Sequence, residues 1–194
     1  MCRPAAPDSS AEPLRGAASQ VSTVTDIRIA SRSDTVLLPD LCELLKDAVE
    51  GGASVGFMAP LTAEAADAYW RDVLASIGQS LMVWVAVENG RAVGSVQLAL
   101  CQRGNGRHRG EVQKLLVLGA HRRRGIAQRL MGELEASARA AGRSLLVLDT
   151  QKGSAAETLY QTAGWSRAGE IPDFALAPFG GLQATSLYFK QLTA

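Results

Sequence analysis

Residues 111–131 read EVQKLLVLGAHRRRGIAQRLM, and the fold turns on this stretch. Its first part, EVQKLLVL, is a largely apolar run of strand length that contains Leu115, Leu116 and Val117. Its second part opens the clearest helix in the chain: Ile126, Leu130, Leu134 and Ala138 recur at helical spacing, and Gly142 supplies a stop. Between the two, the chain turns tightly through Gly125. The first N–H groups of a helix have no acceptor within it, so such a turn can hold an anion. Gly125 and Ala127 are small enough for the backbone to come close to a pyrophosphate. Arg122, Arg123 and Arg124 add positive charge. Alone, a basic triplet reads as a solvated surface or a nucleic-acid contact; the strand, glycine and helix around it point to a small anion instead.

Outward from this junction, Ile27 and Ile29 alternate with Asp26, Arg28 and Ala30 as a first strand. Asp34 and Thr35 are candidate caps for a helix carrying Leu37, Leu38, Leu41, Leu44, Leu45 and Val49, ended by Gly51 and Gly52. Thr62 caps an Ala-rich helix that runs to Ser76 and carries Tyr69 and Trp70; these two, with Trp84 and Trp165, are candidates for the core or a pocket wall. SVGFMAP, residues 54–60, has no charge and reads either as a buried connection or as a wall of a substrate pocket. LMVWVAVE and RAVGSVQLAL flank Asn89-Gly90, a hairpin signature. QRGNGRHRG, residues 102–110, joins two strands and opens no helix, so its glycines belong to a hairpin turn, with Cys101 read as a small core residue beside it. SLLVLDT is a further strand, followed by a short helix to about Ala163, Gly164, and a closing strand ATSLYFKQL. Hairpins require antiparallel pairing, and a strand–helix–strand unit requires a parallel crossover. The expectation is one α/β domain with a mixed, mostly antiparallel sheet flanked by helices on both faces.

The 194 residues suit one domain, and 47% apolar composition suffices for a core. Residues 1–24, rich in Pro, Ala, Ser and Gly, read as a flexible tail, which leaves 25–194 as the domain. Twenty Lys and Arg against nineteen Asp and Glu give a net charge of +1, so no overall field would draw nucleic acid or an anionic membrane. Cys2, Cys42 and Cys101 are scattered, and His108 and His121 are the only histidines. No metal site is expected from this set, and a reducing cytoplasm is.

The order of strand, basic turn, glycine, helix, strand, short helix with Tyr160 and then Gly164-Trp165 resembles the GNAT family of N-acetyltransferases. That family's phosphate signature is Gln/Arg-x-x-Gly-x-Gly/Ala, read here as Arg122-Arg123-Arg124-Gly125-Ile126-Ala127. The resemblance runs from about Ile27 to Lys190. It implies acetyl coenzyme A as donor, with its pyrophosphate on main-chain N–H groups of about Arg123 to Gln128. It also implies a pantetheine arm paired with Leu115, Leu116 and Val117 beside a bulge where parallel strands splay. Tyr160 matches the tyrosine that protonates the departing thiolate. For the base, Asp149 closes an apolar strand, where a charge needs a reason, and ranks ahead of Glu111, which begins the strand before the turn.

Beyond Trp165, the residues Gly169, Ile171, Pro172, Phe174, Ala175, Pro178, Gly180 and Tyr188-Phe189-Lys190 are similar to the tabtoxin-resistance subgroup, with Phe174 in place of its usual tyrosine. The implied acceptor is the amine of a small, amino-acid-like molecule. The competing readings are acetylation of a protein or peptide amine and a non-catalytic, acyl-coenzyme-A-binding regulator. The closing strand with Tyr188-Phe189 could support a homodimer.

Overall fold

The computed structural model describes residues 25–78 and 80–192. The flexible tail expected over 1–24 lies outside them. The strands are β1 (Asp26–Ile29), β2 (Leu81–Glu88), β3 (Arg91–Leu100), β4 (Arg109–Val117), β5 (Leu145–Gln151), β6 (Ser166–Leu176) and β7 (Leu182–Gln191). The helices are α1 (Leu38–Glu50), α2 (Ala63–Ser76), α3 (Ile126–Ala140) and α4 (Ala155–Thr162). They form one sheet in the order β1-β2-β3-β4-β5-β7-β6. Every neighbouring pair is antiparallel except β4 and β5, which are joined through α3.

The apolar stripes read from the sequence face the sheet. Leu41, Leu44 and Leu45 of α1 and Trp70 and Val73 of α2 pack on one side with Val83, Val85 and Leu116. Leu130 and Leu134 of α3 pack on the other with Val96, Leu98, Val112 and Leu146. Trp84 and Trp165 join this second core, and Trp70, a candidate pocket wall, is fully buried in the first. Lys190 Nζ reaches Glu135 on α3 at 2.8 and 2.9 Å and the Ala163 carbonyl at 2.7 Å, so α3 and α4 share one anchor on β7.

Three local expectations change. Asp34 and Thr35 do not cap α1, which starts at Leu38 after a 3₁₀ turn with Pro39 in its first turn. The Asp34 carboxylate instead holds Arg28 at 2.8 and 2.9 Å and accepts the Ser31 N–H. Cys101 sits just past β3, half-buried, and not in either core. The segment 166–176 is a full strand, β6, at the sheet edge, with Pro172 in the unpaired stretch between Ile171 and Ala175 where the register shifts. Thr62 does cap α2, accepting from the Ala65 N–H at 3.2 Å.

Candidate functional site

Gly125 caps α3 in the left-handed region (φ 75°), and no side chain caps this helix. The first helical bond runs from Arg129 N–H to the Gly125 carbonyl at 3.0 Å. The N–H groups of Ile126, Ala127 and Gln128 are therefore the ones the helix leaves unused. A Cβ placed on Gly125 would meet no heavy atom within 4 Å, so the space beside the turn at Gly125 is open. Arg123 also lies in the left-handed region (φ 61°), a strained conformation held at the turn.

The arginine triplet divides its work. Arg122 sends Nη2 to Asp47 of α1 at 3.1 Å and Nε to the Val117 carbonyl at 3.0 Å, and Asp47 also accepts the Gly119 N–H at 3.0 Å. Arg124 grips both carboxylate oxygens of Glu88, on β2, at 2.8 and 3.2 Å, and His121 Nε2 lies 3.3 Å from the same group. Glu88 is buried, its side chain 5% exposed. Two of the three guanidinium groups are thus matched by carboxylates and brace the turn, while Arg123 forms no ion pair among the described residues. What this turn offers an anion is therefore its backbone N–H groups more than a cluster of free charge.

The cradle opens onto a split in the sheet. β4 and β5 pair only at Arg109, Gly110 and Glu111 against Leu145, Leu146 and Val147. Beyond that rung, the edge of β4 through Leu115, Leu116 and Val117 has no strand on its β5 side. On the β3 side, Lys114 and Leu115 stand opposite the single residue Val96, a bulge in which Lys114 takes φ 50°. A bulge at this point bends β4 away and aims its residues into the gap.

Around the gap stand the candidate acid and bases. Tyr160 on α4 is 5% exposed, with its ring against Trp165 and Tyr188 at centroid distances of 5.8 and 5.9 Å. Burial, then the nearby Asp149 charge, raises its pKa above the usual phenol value, so it keeps its proton at neutral pH. Asp149 corrects the sequence argument: it is exposed, because Leu146 and Leu148 turn to the α3 core and Asp149 alternates to the opposite face, where it accepts from Thr185 Oγ1 at 3.0 Å. Glu111 is exposed too and accepts from Gln113 Nε2 at 2.7 Å. Since Glu111 registers with Val147, both carboxylates lie on one face, side by side at the split.

Lys114 escaped the sequence reading, because nothing in EVQKLLVL marks a bulge. Its half-buried side chain lies with Nζ 5.8 Å from the Tyr69 ring centroid. A Cβ on Gly56 would stand 3.8 Å from Nζ, so residues 54–60 wall this part of the cleft. Burial lowers the Lys114 pKa, and the Asp149 and Glu111 charges oppose that shift. Tyr69, pushed up to about 12 by burial, accepts from Gln97 Nε2 at 2.9 Å and stacks edge-on with Phe57. The same loop joins the far end of the sheet, as the Ala59 N–H donates to the Pro178 carbonyl at 2.8 Å. Among the described residues there is no cluster of His, Cys, Asp and Glu able to hold a metal ion.

Comparison with known proteins agrees with this geometry. The sequence pattern of the acetyltransferase (GNAT) family matches residues 39–165. An uncharacterized N-acetyltransferase of Azospirillum brasilense, encoded in the hisH-hisA intergenic region, is 31% identical over 150 residues, covering 75% of this chain and 88% of its own. Among solved structures, an N-acetyltransferase from Staphylococcus aureus Mu50 superposes with a TM-score of 0.73 at 21% identity, over 88% of this chain and all of its own. An acetyltransferase from Salmonella typhimurium, solved with its cofactor acetyl-CoA, gives a TM-score of 0.71 at 22% identity, over 89% of this chain and 96% of its own. With a matching pattern over most of its length and a curated relative spanning three quarters of it, the chain belongs to the GNAT family of acetyltransferases.

Proposed function

We propose that this acetyltransferase moves the acetyl group of acetyl coenzyme A to the amine of a small, amino-acid-like acceptor. The observation that carries the reading is continuity: the unused N–H groups at Gly125 follow directly on the free edge of β4 as one track, and at the split of β4 from β5 Glu111 and Asp149 share a face. Acetyl coenzyme A supplies an activated thioester to that track. The N–H groups of Arg123 to Gln128 hold the pyrophosphate, and Leu115, Leu116 and Val117 offer main-chain partners to the pantetheine arm. Backbone donors beside the bulge would supply the stabilisation that the charge growing on the thioester oxygen needs during attack. Asp149 or Glu111 takes a proton from the acceptor amine, and Tyr160, which stays protonated, gives one to the leaving sulfur.

The C-terminal motif supports placing the chain near the tabtoxin-resistance subgroup. Residues 169–175 lie within β6, and Pro178 binds the loop that walls Lys114. We assign the protein to the cytoplasm on its scattered cysteines; among the described residues no helix is long and apolar enough to cross a membrane. The test is thiol release from acetyl coenzyme A with a panel of amino acids, β-lactam dipeptide analogues, polyamines and peptides. Turnover of small amines supports the reading. Turnover of peptides alone, or coenzyme binding with no turnover, overturns it in favour of a protein acetyltransferase or a regulator.

A further inference from the structure

The Lys114 ammonium is the one feature of the cleft that the acetyl transfer itself leaves unused. It is half-buried on the bulge, forms no salt bridge among the described residues and rests beside the face of Tyr69. Taking a charge partly out of water without an anion is unfavourable, and a ring face returns only part of the loss. A side chain that needed only to cover Tyr69 could do so without a charge. Two carboxylates that share a face at the split, Glu111 on the same strand and Asp149 on β5, act on Nζ through their charge but form no salt bridge with it among the described residues. The cleft therefore presents one cation and two anions to whatever enters it, with Gly56 leaving room beside the cation.

That charge pattern complements a zwitterion. We propose that Lys114 binds the carboxylate of the acceptor, so that the preferred substrates are amines bearing a free carboxylate, free amino acids among them. The acceptor amine then lies toward Asp149 and Glu111, where its proton is taken, and its carboxylate replaces the missing counter-ion of Lys114. Lys114 acts here on specificity; it neither gives nor takes the transferred proton. The inference rests on the acetyl transfer to small amines proposed above.

The test compares each amino acid with its amide in the unmodified enzyme, in Lys114→Gln and in Lys114→Arg. The readout is the ratio of kcat/KM for acid over amide; its change between proteins cancels the different basicities of the two amines. Loss of one charge-assisted hydrogen bond lowers the ratio roughly 10- to 150-fold in Lys114→Gln, and Lys114→Arg restores most of it. Circular dichroism confirms that the variants are folded. A ratio that stays within about twofold in Lys114→Gln overturns the inference while leaving the acetyltransfer reading intact. Failure of that reading shows separately, as no thiol release by the unmodified enzyme from any acceptor. In that event, thermal-shift measurements with amino acids and their amides decide the matter: acid-selective stabilisation that vanishes in Lys114→Gln supports carboxylate binding, and its absence refutes it.

Discussion

Two glycines flanking α3 allow the anion cradle to be separated from simple stability. Gly125 before the helix and Gly142 after it have φ of 75° and 70°, and a Cβ on either would meet nothing within 4 Å. Alanine at either position therefore carries backbone strain without a clash, about 1–2 kcal/mol for an L-residue in the left-handed region. For a domain of this size that corresponds to a fall in Tm of about 2–8 °C, similar in both variants. The variants diverge at the ligand. Gly142 closes the helix through Arg143 N–H to the Ala138 carbonyl and Gly142 N–H to Arg139, both at 2.9 Å, far from the turn. Gly125, by contrast, is the residue directly before the unused N–H groups of Ile126, Ala127 and Gln128, so a methyl there crowds a ligand seated on them. Loss of one charge-assisted hydrogen bond there weakens coenzyme A binding about 10- to 150-fold. Calorimetric titration of both variants against the unmodified protein measures this, alongside thermal unfolding. Equal Kd values for Gly125→Ala and Gly142→Ala would refute the cradle, whatever the two melting temperatures.

Two further outcomes follow from the cleft and from the first strand. Tyr160→Phe lowers kcat by about 10²- to 10⁴-fold, the usual range for a lost acid–base group, with coenzyme Kd nearly unchanged, and a comparison of Asp149→Asn with Glu111→Gln in pH–rate profiles assigns the base to whichever removes the acidic limb; a variant with lost coenzyme affinity would instead mark the ring as structural. The Arg28 guanidinium, with help from Ser31, holds the Asp34 carboxyl well below the usual carboxylate range. Because the folded-state pKa is depressed, this contribution is complete above the unfolded value of about 4 and disappears as pH falls below it, so Asp34→Asn flattens the acid side of a stability-against-pH curve and changes nothing at pH 7 beyond a constant offset.

The parts of the fold written in short-range patterns were legible: the strand–Gly125–helix junction, the Thr62 cap, the Asn89-Gly90 hairpin and the apolar stripe of α3. What escaped depends on residues distant in the chain. Asp47 and Glu88 neutralise Arg122 and Arg124 from 75 and 36 positions away, which no reading of the triplet could supply. In the sequence, Asp149 reads as a charge in a buried strand because hydropathy averages the two faces of SLLVLDT, whereas only Leu146 and Leu148 of it are buried. β6 was hidden by Gly169, Pro172 and Asp173, which interior strands avoid and an exposed edge tolerates. Lys114 became visible only through the bulge, since an unbroken alternation would have assigned it to another face.

The ion pairs at the arginine turn also determine how this protein responds to ionic strength. Fixed dipoles and a helix terminus in a shaped cradle act at contact, where mobile ions intervene little, whereas a free cationic cluster attracts polyanions through the solvent and is screened within about 10 Å at 0.1 M salt. By matching Arg122 with Asp47 and Arg124 with Glu88, the chain has given up most of the long-range pull of its basic triplet. On the proposed reading, an anion at this turn is therefore selected more by whether its shape fits the N–H groups than by the pull of the basic triplet.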